Sequence, residues 1–355
     1  MSARGGLLVV HAHPDDETLA TGGLLATWAA AGRPVTVVTC TRGELGEVIG
    51  AELAHLEGDG PALAAHREGE LAAALAALRV PDQLFLDTVA EPGGPDGRYT
   101  DSGMAWAAPG LAGRLEALPD GAFVAVPLED AARRLARVLR ERRPEVVATY
   151  EPGGGYGHPD HVRAHEVTMR ALELAGDPAT VLGDTTPHRP AAVLWAVVAA
   201  GALRGAYAEL PSLPAVAALL DADPALTLPD PAGPLPSLAV PDAGDRAGDL
   251  TVDLAVDVTG VLDRVAAALA AHGTQVRSIA VDPDRLARAA RLPADPRPVV
   301  VGCYALSNDM LAPLLSRESY HRVPVGPVGA GSTLGDAADV AWHDVAWPAA
   351  VRPVA

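Results

Sequence analysis

The chain has 355 residues, enough for one large α/β domain or two smaller ones. Hydrophobic residues make up 49% and charged residues 20%, the balance of a folded globular protein rather than a disordered one. The 27 basic residues face 45 acidic ones, and a net charge of −18 argues against nucleic acid or an anionic membrane as a partner.

Residues 6–11 read as a short buried strand, because their apolar run is continuous, as in parallel sheets. A helical pattern follows over residues 17–31 and stops at Gly32. Residues 34–40 are the next strand, which completes a β-α-β unit. A helix is predicted over 68–78 and a short strand over 83–87. Residues 128–142 are strongly helical, and 145–150 form a strand entered after Pro144. A glycine-rich loop leads into a helix over 160–174, and 192–199 read as a further buried strand. This alternation predicts an α/β fold, a Rossmann-like and mostly parallel sheet flanked by helices. Residues 210–249, rich in Pro, Ala and Asp, read as a surface excursion. Residues 250–258 alternate and predict an edge strand, 262–271 a helix, and 299–304 a late strand. The expected division is a core over 1–200, a Pro/Ala-rich excursion over 201–249, and a smaller C-terminal α/β portion over 250–355 that completes the fold and the substrate pocket. No internal repeat or heptad array marks an oligomerisation element.

The chain has no lysine, which excludes lysine Schiff-base chemistry and the lysine-bearing phosphate loop. Cys40 and Cys303 both sit in apolar, strand-like runs, so buried thiols are expected rather than a disulfide. The N-terminus lacks a signal-peptide pattern and no apolar run reaches membrane-spanning length, so a cytoplasmic location is expected.

Two segments concentrate the chemistry. His11-Ala-His-Pro-Asp-Asp-Glu17 follows the first strand, and Tyr156-Gly-His-Pro-Asp-His161 follows the strand over 145–150. In parallel α/β folds, ligands bind beyond the carboxyl ends of the strands, so both segments are expected at one site. Their imidazoles and carboxylates suit a catalytic zinc, with three protein ligands, a water, and an acid and a base nearby. The bland alternative is that Asp15 or Asp16 caps the helix and His13 is merely a polar loop residue. The recurrence of His-Pro-Asp after a second strand favours the metal. A nicotinamide-binding reading does not fit, because the first strand leads into His-Pro-Asp-Asp-Glu and not into a Gly-x-Gly-x-x-Gly turn.

These residues resemble the zinc-dependent LmbE/PIG-L family of N-acetylglucosaminide deacetylases. Thr41-Arg-Gly-Glu-Leu-Gly-Glu-Val-Ile-Gly50, Arg67-Glu-Gly-Glu-Leu71, Asp101-Ser-Gly-Met104 and Ala271-His-Gly-Thr-Gln275 look like its mycothiol-biosynthesis branch. The likeness is continuous over about residues 5–175 and patchy beyond Leu210. It implies His13, Asp16 and His161 as ligands of one zinc per chain, with iron(II) as the alternative metal. It implies Asp15 as general base and His158 as acid or electrostatic partner, oriented by Asp160. Tyr156 would hydrogen-bond the amide oxygen or pack as a loop aromatic. Arg67 would contact an inositol group and Asp101 the sugar, with Glu47 and Met104 as weaker candidates. His11 would be structural, and Glu17 would begin the helix.

The implied activity is hydrolysis of the N-acetyl group of inositol-linked N-acetylglucosamine to the free amine and acetate. The implied partner is therefore a small-molecule aminosugar. Same-class alternatives are a mycothiol S-conjugate amidase or another aminosugar deacetylase. Leu19-Ala20-Thr21 and Tyr156-Gly157-His158 favour the deacetylase, since the amidases carry a lysine after the first motif and Tyr-Pro-His in the second. A non-catalytic carbohydrate-binding descendant would be expected to lose a ligand or the base, and this chain keeps them.

Overall fold

The computed structural model describes residues 5–91, 97–108, 111–241, 250–292, 297–323 and 345–354. The chain opens with β1 (Leu7–His11), α1 (Asp16–Ala30), β2 (Val35–Thr39), α2 (Gly60–Leu78) and β3 (Asp82–Phe85). A hairpin, β4 (Ala105–Ala108) and β5 (Leu111–Gly113), precedes α3 (Leu128–Arg142) and β6 (Val146–Tyr150). Then come the kinked turn α4 (Gly154–Gly157), α5 (Pro159–Gly176) and β7 (Ala192–Ala199). The remainder comprises α6 (Ala200–Glu209), α7 (Pro214–Ala222), β8 (Ala239–Val240), β9 (Leu254–Asp257), α8 (Leu262–Ala271), β10 (Arg277–Val281), α9 (Pro283–Ala289), β11 (Val300–Ala305), β12 (Leu311–Leu315), β13 (Arg317–Val323) and β14 (Val351–Pro353).

The main sheet runs β14-β9-β13-β7-β6-β1-β2-β3, with β8 beside β7. Strands β7, β6, β1, β2 and β3 are parallel, and β13, β9 and β14 add on antiparallel. β1 lies between β2 and β6, so the chain steps outward from it first one way and then the other. That makes the β1/β6 boundary the topological switch point, where a crevice opens beyond the strand ends.

The continuous apolar run of β1 is explained by burial on both faces. Leu7 and Val9 enter a core with α1, α2 and α8, whereas Leu8 and Val10 enter one with α3 and α5. A fully buried Leu or Val contributes about 1.5–3 kcal/mol, so this three-layer packing outweighs any helix propensity in the segment. Both cysteines are buried and free. Among the described residues, no helix is long and apolar enough to cross a membrane.

Three expectations need correction. α2 begins at Gly60, eight residues ahead of the periodic run, because Asp59 accepts the Ala62 N–H at 3.1 Å and Pro61 presets the first turn. The strand expected at an edge over 250–258 is β9, which lies between β13 and β14. The excursion is not confined to the surface: α6, α7 and Leu210 between them form a satellite core with β11 and β12 through Ala206, Val216, Cys303 and Leu311. Part of it, residues 242–249, lies outside the described residues.

Helix α1 touches the C-terminal portion at Gly23. A Cβ there would lie 2.1 Å from Val258 Cγ1 and 2.9 Å from Glu318 Oε1. Ala ordinarily gains about 1 kcal/mol over Gly inside a helix, but overpacking costs about 1–3 kcal/mol. Gly23→Ala is therefore expected to lower the urea midpoint. Gly69→Ala, in α2 with nothing within 4 Å of the added carbon, should raise it. Equal shifts in the two variants would show that the Gly23 contact is not tight.

Candidate active site

The first turn is held by the strands that frame it. At its start, the Ala12 N–H donates to the Tyr150 hydroxyl at 2.9 Å, tying the end of β1 to the end of β6. Asp15 then takes φ 116° and ψ −37°, a region that a non-glycine residue occupies at a cost of about 1–3 kcal/mol. It sits at the N-cap of α1, yet its carboxylate caps no helix N–H. Asp16 Oδ2 instead accepts the His13 N–H at 2.9 Å. The capping alternative is thereby excluded for Asp15. His11 Nε2 pairs with Thr21 Oγ1 at 2.9 Å beneath the turn.

The second turn is set by glycine. Gly154 has φ 69°, and a Cβ there would meet the Val162 nitrogen at 2.7 Å. Glu151 gathers the loop by accepting the Gly153 and Gly155 N–H groups and the Ser237 hydroxyl. His158 caps α5 through its ring: Nδ1 accepts the Asp160 N–H at 3.1 Å. Nδ1 is thus an acceptor, so a neutral His158 carries its proton on Nε2. Burial, reinforced by His13 and His161, holds His158 well below the usual imidazole pKa.

The two turns converge. Ring nitrogens of His13, His158 and His161 lie within 4.8 Å of one another, all buried. Asp16 bridges two of them, with Oδ2 3.3 Å from His13 Nδ1 and Oδ1 3.3 Å from His161 Nε2. Tyr150 stacks on His161 at 4.3 Å between ring centroids. His161 Nδ1 pairs with the Gly154 carbonyl at 3.1 Å, so that nitrogen carries the proton. His161 Nε2 is left as a buried acceptor with no hydrogen-bond partner, facing the cluster.

Asp160 is placed differently from expectation. Only its main-chain N–H touches His158. Its carboxylate accepts the Ser102 N–H at 2.8 Å and the Ser102 hydroxyl at 2.5 Å, and lies 3.2 Å from His13 Nε2. Asp101 Oδ1 is 3.7 Å from the same nitrogen. His13 thus has Asp160 behind it and Asp16 in front, the arrangement that fixes the tautomer of a metal-binding imidazole. Burial disfavours a charge on His13, but Asp101, Asp16 and Asp160 outweigh it and raise its pKa well above the usual value. The same field that draws a proton draws a divalent cation, and the residues present fit one.

Asp15 is half-buried beside this cluster. Burial pushes its carboxyl up to about 6, with Arg67 opposing and Asp16 reinforcing the rise. Arg67 is buried, donates to the Pro14 and Gly43 carbonyls, and lies 3.4 Å from Asp15 Oδ1. It sits beneath the turn rather than on an open wall. Asp101 is buried at the cluster, Met104 is half-buried, and Glu47 is exposed, held only through its carbonyl by Gln275. Tyr156 lies edge-on to His161 at 5.1 Å. With Asp16 and His161 it lines a cavity of about 330 Å³, whose far wall includes Leu262, Leu269 and Tyr304.

Ser102, Tyr150 and the Glu17–His272 pair have no part in the expected site. Ser102 and His272 do lie inside stretches that carried the resemblance. Glu17 and His272 are both fully buried, 2.8 Å apart. Burial penalises both charges, yet mutual attraction holds Glu17 below and His272 above their ordinary pKa values.

Residues 8–172 match the model of the PIG-L family, GlcNAc-PI de-N-acetylase. A protein of Kineococcus radiotolerans named 1D-myo-inositol 2-acetamido-2-deoxy-alpha-D-glucopyranoside deacetylase is 44% identical over 91% of this chain and 80% of its own. A Streptomyces griseus protein of the same name is 41% identical over 89% and 83%. The chain belongs to the PIG-L family. The likeness therefore continues through most of the C-terminal portion, beyond the stretch legible from motifs. Among solved structures, N,N'-diacetylchitobiose deacetylase from Pyrococcus horikoshii is similar at 20% identity and a TM-score of 0.39, over 54% of this chain and 59% of that one.

Asp160→Asn tests the support of His13. Loss of such a carboxylate partner typically lowers metal affinity 10–100-fold. Chelator competition should show a loss in that range with the fold intact by circular dichroism. Unchanged affinity would remove Asp160 from the site.

Proposed function

We propose that the chain is a zinc-dependent deacetylase. It hydrolyses the acetamido group of inositol-linked N-acetylglucosamine, releasing acetate and the free aminosugar. The observation that carries this reading is the unpartnered Nε2 of His161, aimed into a cluster beside the uncapping carboxylate of Asp15. The names of relatives at 41–44% identity point to the same substrate class.

In this reading His13, Asp16 and His161 hold the metal. His158 stays outside the set, because its Nδ1 is spent on the Asp160 N–H and its Nε2 carries a proton. Zinc suits two imidazoles and a carboxylate, and iron(II) is the alternative. When bound, the ion would supply Lewis-acid polarisation of the acetyl carbonyl and acidify a water. Asp15 takes the proton of the attacking water. His158 donates a hydrogen bond from Nε2 to the oxygen on which charge develops, with Tyr156 as a second donor. The amide C–N bond breaks as the proton taken from the water is delivered through Asp15 or His158 to the leaving nitrogen, giving acetate and the free amine. Asp101 and Met104 bound the sugar, Glu47 lies at the rim, and Arg67 supports the inositol side from beneath the turn. The C-terminal portion, residues 250–355, completes the pocket through α8 and β11. The partner is a small aminosugar, and the setting is the cytoplasm.

Acetate release is the direct test, with the inositol-linked sugar beside free N-acetylglucosamine and a mycothiol S-conjugate. The first should be the preferred substrate by kcat/KM. Equal rates on the two sugars would leave only a general aminosugar deacetylase, and preference for the conjugate would make the chain an amidase.

Variants assign the roles. His13→Ala, Asp16→Ala and His161→Ala should lose metal and turnover together, whereas His158→Ala should keep metal and lose turnover. Asp15→Asn should keep metal and lose about 10²–10⁴ in rate, as general-base removal usually does. Full metal occupancy in the first three variants would refute the ligand set.

A further inference from the structure

A glutamate in the first turn of a helix ordinarily faces solvent, where it favours the helix dipole. Glu17 does the opposite. It is fully buried, and one of its oxygens serves the turn ahead of the helix. Oε2 accepts the Asp15 N–H at 2.9 Å. Oε1 accepts the Thr18 hydroxyl at 2.5 Å and lies 2.8 Å from His272 Nε2.

The peptide between Pro14 and Asp15 is therefore gripped at both ends. Arg67 holds its carbonyl and Glu17 holds its N–H. This is the peptide plane from which the φ of 116° at Asp15 is measured. An L residue leaves that region unless its neighbours over-determine it. The direction in which the Asp15 side chain leaves the backbone follows from the plane and that angle.

His272 in turn is fixed from the other side. It ends α8 in the C-terminal portion, and its carbonyl accepts the Gln275 and Val276 N–H groups. Thr274 is anchored to Glu70 of α2 by its N–H at 2.7 Å and its hydroxyl at 2.6 Å. The loop is thus rigid where it meets Glu17.

We propose that Glu17 and His272 form a buried strut that sets the position of the Asp15 carboxylate, which makes both of them positioning residues for the hydrolysis. Both are fully buried and neither lines the cavity. The proposal rests on the reading of Asp15 as general base given above.

Four variants, each loaded with zinc and assayed for acetate release from the inositol-linked sugar, test it. Small misplacement of a reacting group by a distant change costs on the order of 10² in rate. His272→Ala should lower kcat by about that factor, with KM within about twofold and metal content unchanged. His272→Gln, whose amide nitrogen replaces the Nε2 donor, should recover most of the loss. Glu17→Gln keeps the volume and reports the same strut should His272→Ala fold poorly; it should show the same fall in kcat at constant KM.

The fourth variant combines His272→Ala with Asp15→Asn. With the base already removed, the strut has nothing left to position, so the added loss should be under about twofold. A full additional loss there, unchanged kcat in the single variants, or a failure of Gln to rescue would each overturn the strut. Asp15→Asn alone separates the two readings. Near-normal turnover in it would defeat the assignment of the base, whereas a large loss in it with normal His272→Ala and Glu17→Gln would defeat the strut only.

Discussion

Everything at the site depends on β1 lying between two parallel neighbours. Because β2 is reached through α1 on one side and β6 is reached later on the other, the carboxyl ends of β1 and β6 open onto the same crevice. The Ala12 N–H bonded to the Tyr150 hydroxyl fixes that meeting at 2.9 Å. From there each strand feeds a turn bearing His-Pro-Asp, and the helices that follow carry Asp16 and His161 towards one point. Neither motif is a site alone. The sheet order makes them one.

The second constraint is charge. Asp16, Asp101 and Asp160 all lie within 4 Å of His13, in a region from which water is largely excluded. Three buried carboxylates on one imidazole are costly unless positive charge joins them. Hydrogen bonds relieve part of that cost, since Ser102 serves Asp160 and Gly103 serves Asp101. The tautomers then follow from partners outside the cluster. The Gly154 carbonyl accepts the His161 Nδ1–H, leaving a lone pair inward on Nε2, and the Asp160 N–H occupies His158 Nδ1, leaving a proton on the other nitrogen. Two histidines three residues apart therefore acquire opposite characters, one suited to accept a cation and the other to donate a proton.

The sequence displayed the parallel core well, because strands buried on both faces keep unbroken apolar runs and the helices between them are long and periodic. The bounds predicted for α3, β7 and α8 coincide with those observed. It displayed the antiparallel margin poorly. β13 mixes Arg, Glu, Ser and His with Tyr and Val, and its burial comes from neighbours distant in sequence rather than from its own pattern. The start of α2 hid behind a run with no periodicity, where only Asp59 and Pro61 signalled a cap. Within the site, residue types were legible and orientations were not. Which nitrogen of His13 meets Asp160, and whether a first-turn glutamate turns inward, are settled by partners far along the chain. Glu17 was visible as a helix start, but the residue that buries it is His272.

That separation along the chain has a consequence for how the protein comes to be active. A nascent chain that has emerged only through β7 already holds His13, Asp15, Asp16, His158 and His161. It lacks the partner of Glu17, the strand that packs Glu318 against Gly23, and the wall of the cavity built by α8. At ribosomal rates of about 5–20 residues per second, the roughly 120 residues from β7 to the end of β13 take on the order of 10 s to arrive. During that interval the clustered histidines and aspartates are present on an unfinished scaffold, with an exposed strand edge on β7 where β13 later pairs. The crevice is therefore completed late in synthesis, by a part of the chain that carries neither His-Pro-Asp motif.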